Sequence, residues 1–187
     1  SGGLNKKGTG TMVMAGTNTY TGTTTISNGT LVVSGNSAYS AHTVYSAGTL
    51  MGDGPIGALT AGGTVDPGNT IGAITTLQTG PIQLEGGGSM KVDMANVFGT
   101  AGAEWDFISS YGGITAPTNG TFTIKPLGNP AGFDPTNNYS WKIMSGVSPV
   151  SGFAANKFYV DASGFFPSLD GGKFNVAQDG NDLVLTF

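Results

Sequence analysis

Between residues 8 and 35 the chain alternates short apolar stretches with Gly-Thr, Thr-Asn and Asn-Gly punctuation and carries almost no charge. Met12 and Met14 form one alternating pair, Thr23, Thr25 and Ser27 flank Ile26 in the next, and Leu31 and Val33 form a third. A period of two bounded by turn residues predicts strands. Each stretch is too short to bury a face alone, so stability has to come from stacking one on the next. Gly29-Thr30-Leu31-Val32-Val33, Gly48-Thr49-Leu50-Met51-Gly52, Gly63-Thr64-Val65 and Gly88-Ser89-Met90-Lys91-Val92 are versions of one element. Their spacing falls near roughly 20 residues per repeat, the range of stacked-strand repeats. The expected role of each leading glycine is a turn at positive φ, with the hydroxyl residue tying the turn and the apolar residue stacking inward. At about 4.8 Å per layer, roughly eight layers would make a rod near 40 Å long.

No window predicts a convincing helix. Val97 to Ile108 comes nearest, and Gly99 and Gly102 interrupt it. The last third is different in character, because eleven of the 18 aromatic residues lie between Phe122 and Phe187. The reading is therefore residues 1–120 as coils and 121–187 as an aromatic-rich capping region packed on the same stack. Asp179-Gly180-Asn181 predicts a tight turn closing an antiparallel hairpin between Phe174–Gln178 and Asp182–Phe187. Pro126–Pro135 and Ser148–Ser151 read as loops.

Composition narrows the class. Gly supplies 33 of 187 residues without a G-X-Y period, while 38% are hydrophobic, which excludes collagen and argues for a packed core. All seven basic residues are Lys, and the net charge is −4, so no basic face is available for nucleic acid or an anionic membrane surface. Cys is absent, which removes disulfides and thiolate metal sites. No apolar run is long enough for a membrane-spanning helix.

Leu4-Asn5-Lys6-Lys7-Gly8-Thr9-Gly10-Thr11-Met12, then Asn18-Thr19-Tyr20-Thr21-Gly22-Thr23-Thr24, then Gly29-Thr30-Leu31-Val32-Val33, closely resembles the autotransporter-associated β-strand repeat. Gly57 to Gly72, with its Pro67-Gly68-Asn69 turn, looks like the segment that often follows, and Phe174 to Thr186 is similar to the ending of many such proteins. The resemblance implies an all-β right-handed parallel β-helix exported to the bacterial surface or beyond. It brings no catalytic residues and no cofactor.

The search for chemistry gives little. Asp53, Asp66, Glu85, Asp93, Glu104 and Asp106 are mostly single carboxylates; Glu104 and Asp106, two apart, would share a strand face and are expected to be a solvated pair at an edge rather than an acid and base. His42, the sole histidine, is expected in a turn or facing outward. The calcium nonapeptide Gly-Gly-x-Gly-x-Asp does not occur, and Asp179 and Asp182 offer at most a weak calcium site beside a turn. Asn28, Asn119 and Asn138 open glycosylation triplets that are expected to be accidental. Tyr20, Tyr39, Tyr45 and Trp105 are the aromatics that a glycan groove would use, with Tyr20 expected to pack instead.

A stack of strands leaves an unpaired edge at each end. The repeat starting at Leu4 and the apolar last strand together predict head-to-tail self-association, with Leu4, Met12, Met14, Leu183, Leu185 and Phe187 as the contact residues. The expected function is a non-catalytic structural subunit of an extracellular fibre or surface layer. The alternatives are a passenger or stalk segment of a longer surface adhesin, and a glycan-binding or glycan-cleaving β-helix.

Overall fold

The computed structural model describes residues 2–187. Its strands form three sheets. The first comprises β1 (Leu4–Lys6), β3 (Thr24–Ile26), β5 (His42–Val44), β7 (Leu59–Ala61), β10 (Ile82–Leu84) and β13 (Ile114–Thr115), all parallel. The second comprises β2 (Thr11–Met14), β4 (Gly29–Val33), β6 (Gly48–Gly52), β8 (Thr64–Pro67), β11 (Ser89–Asp93), β14 (Phe122–Leu127) and β16 (Phe158–Val160), again all parallel. The third contains β9 (Thr76–Thr79), β12 (Phe107–Ser110), β15 (Ser140–Ser145), β17 (Asn175–Asp179) and β18 (Asp182–Thr186). There is no α-helix among the described residues; Ala155–Lys157 makes one short 3-10 turn.

From β1 to β8 the chain alternates between the first two sheets, and from β9 it also visits the third on each pass. Before β9, the third side is held by single contacts: the Asn18 amide donates to the Asn36 carbonyl at 2.8 Å, Ser37 to Pro55 at 2.8 Å and Ile56 to Gln78 at 3.0 Å. At the far end the third sheet changes direction. The strand β18 lies between β15 and β17 and pairs antiparallel with both.

The repeated Gly-hydroxyl-apolar element sets the register of the second sheet. Thr30 pairs with Thr49, Thr49 with Thr64 and Thr64 with Ser89, while Leu31, Leu50, Val65 and Met90 line up as the next column. Those four apolar side chains are at most 1% exposed, and full burial of such a side chain contributes roughly 1.5–3 kcal/mol. Met12 occupies the same column above Leu31 but remains 37% exposed, because β2 has a neighbour on one side only among the described residues.

The glycines of the element play a different part from the expected one. Of the four leading glycines, Gly29, Gly48, Gly63 and Gly88, only Gly29 has a positive φ, 68°. At Gly48, Gly63 and Gly88 a Cβ would strike a backbone carbonyl of the preceding pass, at Ile26, Tyr45 and Ala61 respectively. These residues permit close approach between passes rather than a left-handed turn. Pass length also differs from the expected regular value: Thr30 to Thr49 takes 19 residues, Thr49 to Thr64 takes 15, and Ser89 to Thr123 takes 34. The longest sheet has seven strands.

Polar residues occupy inward positions near the first strands. Lys6 is 7% exposed, in register with Ile26, and its ammonium donates to the carbonyls of Gly8 at 2.7 Å and Asn28 at 3.0 Å. Thr24 is fully buried, its hydroxyl lying 2.7 Å from that of Tyr20 and 2.8 Å from that of Ser40. Tyr20 thus packs and bonds within the protein, as expected.

Six of the C-terminal aromatics, Phe133, Tyr139, Trp141, Phe165, Phe174 and Phe187, form one network. Phe133 meets Tyr139, Phe165 and Phe187, with ring centroids 5.5, 4.9 and 5.0 Å away. Trp141 stacks on Tyr139 at 5.1 Å, and Phe174 contacts Trp141, Phe165 and Phe187. The hairpin turns through Gly180 (φ 57°) and Asn181 between paired Asp179 and Asp182, as the sequence predicts. Pro126 and Leu127 belong to β14 rather than to the expected loop.

Candidate functional site

The most unusual chemistry lies on the outer face of the second sheet, near the C-terminal ends of β8 and β11. Met90 and Val92 point inward along β11, so alternation puts Lys91 and Asp93 on the opposite face. Asp66, from the adjacent β8, shares that face and is bonded to Lys91 at 2.9 Å. The segment after β11 folds back so that the Asp106 amide donates to the Asp93 carbonyl at 3.0 Å, which brings a third carboxyl group in. Oxygens of Asp66, Asp93 and Asp106 lie within 4.8 Å of one another.

Burial makes the cluster consequential. Asp66 is 2% exposed and Asp106 fully buried, while Asp93 is half-buried. Asp106 accepts the backbone N–H of Thr75 at 3.0 Å through Oδ1 and that of Asp93 at 2.9 Å through Oδ2. Desolvation outweighs these two bonds, and with the charges of Asp93 and Asp66 it pushes the Asp106 carboxyl up to about 8. Asp93 is raised as well, first by burial and then by the Asp66 charge, with Lys91 and the Asp106 side chain opposing. Asp66 Oδ2 takes the Lys91 bond, and Asp66 Oδ1 has no hydrogen-bond partner.

Several expectations are corrected here. Asp66, Asp93 and Asp106 do not stand singly. Glu104 and Asp106 are not a solvated pair: Asp106 turns into the protein while Glu104 sits half-buried in the preceding turn. Trp105 lines no open groove, since it is 6% exposed and its Nε1 donates to the Lys142 carbonyl at 2.8 Å. Tyr39 and Tyr45 do reach solvent. Asp182 is engaged by Lys142 at 2.6 Å, which places an ammonium where the calcium reading of Asp179 and Asp182 needed an ion.

The proposed contact residues separate. Leu4 is half-buried on β1 and Met14 is 6% exposed at the end of β2. Leu183 and Leu185 are completely buried in the hydrophobic core, so neither is at a surface. Phe187 is half-buried in the aromatic network.

His42 is neither in a turn nor outward. It is 1% exposed on β5, in register between Thr24 and Leu59. Its Nδ1 donates to the Ser40 carbonyl at 2.9 Å, which leaves Nε2 as the acceptor facing the Ser37 hydroxyl at 3.4 Å. Burial lowers the imidazole from 6.5 to about 4, against the opposing Ser40 bond. The unfolded chain therefore binds a proton that the folded one refuses between pH 6.5 and about 4, and stability falls as pH falls through that window. The full loss from this group is about 3 kcal/mol. Urea unfolding at pH 7 and pH 4.5 should show a smaller acid loss in His42→Leu than in the wild type, by about 2 kcal/mol; equal losses would place the ring in solvent.

A concavity of about 250 Å³ lies against the aromatic network and is lined by Val160, Ala162, Leu169, Gly172, Lys173 and Phe174. It contains no carboxylate or imidazole. No helix of the described residues is long and apolar enough to cross a membrane.

Comparison with curated proteins finds no match to the chain. The passenger-associated-transport-repeat family model matches residues 4–33 and 28–51. The first match spans β1 to β4, and the second reaches through β4 and β5 into β6, the region where Thr11, Thr30 and Thr49 stack in register. Residues 4–51 of this chain are therefore similar to the passenger-associated-transport-repeat.

Proposed function

We propose that this chain is a passenger-type structural segment of a protein exported to the bacterial exterior, a right-handed parallel β-helix without a catalytic role. The observation that carries this is the coincidence of the two repeat matches with strands that stack in register. Low charge, abundant Gly and Thr and a long parallel stack suit a rod that holds other surfaces away from the cell. Antibody raised against residues 2–187 should label intact cells that express the native reading frame. Labelling that appears only after permeabilisation would refute export.

A second reading is self-association into a fibre or surface layer, and the edges of β1 and β2 favour it. Both strands have one neighbour among the described residues, and Val13 and Met12 on β2 are 59% and 37% exposed. Such an edge can accept a further parallel strand from a second copy. Negative-stain microscopy over a range of concentrations should then show rods lengthening with concentration, and Val13→Lys should abolish the growth. A monomer at every concentration excludes this reading and leaves the passenger reading intact.

A further inference from the structure

We propose that Asp66, Asp93 and Asp106 bind one hard divalent cation of the calcium class on the outer face of the second sheet. Two observations converge on this. The three carboxyl groups place oxygens within 4.8 Å of one another, and oxygens around one calcium ion, at about 2.3–2.6 Å from it, lie no more than about 5 Å apart. Asp66 is 2% exposed; Lys91 meets its Oδ2, and its buried Oδ1 has no hydrogen-bond partner. An orphaned carboxylate oxygen in that setting is costly unless something positive meets it.

The donor chemistry selects the ion. All three groups are carboxylates, with no sulfur or imidazole, which suits a hard cation over zinc or copper. Each oxygen of Asp106 accepts one backbone N–H and keeps a second lone pair. Half-buried Asp93 provides the approach from solvent, and the backbone contacts of Asp106 hold the inner side in place.

The test uses the whole chain after dialysis against EDTA. Calcium chloride at hundredfold excess over its dissociation constant should raise Tm by roughly 5–10 °C, with magnesium chloride as a parallel arm. Asp93→Asn should lose this shift while the control Asp53→Asn, at an exposed carboxylate, keeps it. Terbium provides a readout independent of variant folding, since buried Trp105 adjoins Asp106 in sequence and should sensitise its emission. Calcium should quench that emission by displacement. An unchanged wild-type Tm with both metals, a shift retained in Asp93→Asn, or terbium emission that calcium does not displace overturns the proposal.

Discussion

Trp141→Ala should lower stability by about 3–5 kcal/mol, a loss typical of deleting a fully buried aromatic side chain. Trp141 is 1% exposed on β15 and stacks on Tyr139 with centroids 5.1 Å apart. Its Nε1 donates to the Val97 carbonyl at 3.0 Å, so truncation also leaves a buried acceptor unpaired. Against a total stability of roughly 5–15 kcal/mol, this single change threatens the fold. Urea unfolding is the measurement, with Trp141→Phe as the partner variant. Phe should retain most of the packing and lose the Val97 bond, and so fall between wild type and Ala. A cost below about 1 kcal/mol for Ala would mean that the aromatic network is not part of the cooperative core.

Gly52→Ala should be nearly as damaging, at about 3 kcal/mol or more, although it adds only a methyl group. Gly52 has φ 138°, a conformation that L side chains rarely adopt. A Cβ there would overlap the Val33 carbonyl oxygen, and Val33 is the residue paired with Gly52 in the adjacent strand. Relief would require β4 and β6 to separate, which breaks their ladder. Gly10→Ala is the control: it lies just before β2 of the same sheet, with nothing within 4 Å of the added Cβ, and should change stability by less than about 0.5 kcal/mol. Thermal unfolding of the two variants side by side distinguishes a general dislike of alanine from contact between passes. Equal behaviour would falsify the close-approach account.

What could be read from sequence was the repeating local element. Gly29, Gly48, Gly63 and Gly88 begin segments similar enough to align by eye, and the ladder pairs them as aligned, with apolar Leu31, Leu50, Val65 and Met90 in one inward column. The turn at Gly180 was legible for the same reason, being fixed by two residues and their neighbours. The aspartate cluster was not. Asp66, Asp93 and Asp106 belong to β8, the end of β11 and a returning segment, and only the pairing of whole strands with a fold-back makes them neighbours. His42 misled because period-two reading treats a polar residue as outward, whereas Ser37 and Ser40 supply the partners that let this one face inward. Leu183 and Leu185 misled in another way: alternation identifies a strand but not its place in the sheet, and β18 has a neighbour on each side.

The unequal lengths of successive passes have a consequence for how such a chain can change. A pass of 15 residues, from Thr49 to Thr64, and one of 34, from Ser89 to Thr123, deliver their strands to the same ladder in the same register. The ladder specifies where each strand begins and which side chain faces inward, and leaves the chain between strands unconstrained in length. Insertions and deletions at the corners therefore need not slip the pairing, and each added residue in a loop costs little closure entropy. Segments such as residues 69–72, where Ile71 is 86% exposed, can be exchanged as cassettes while the strands behind them stay fixed.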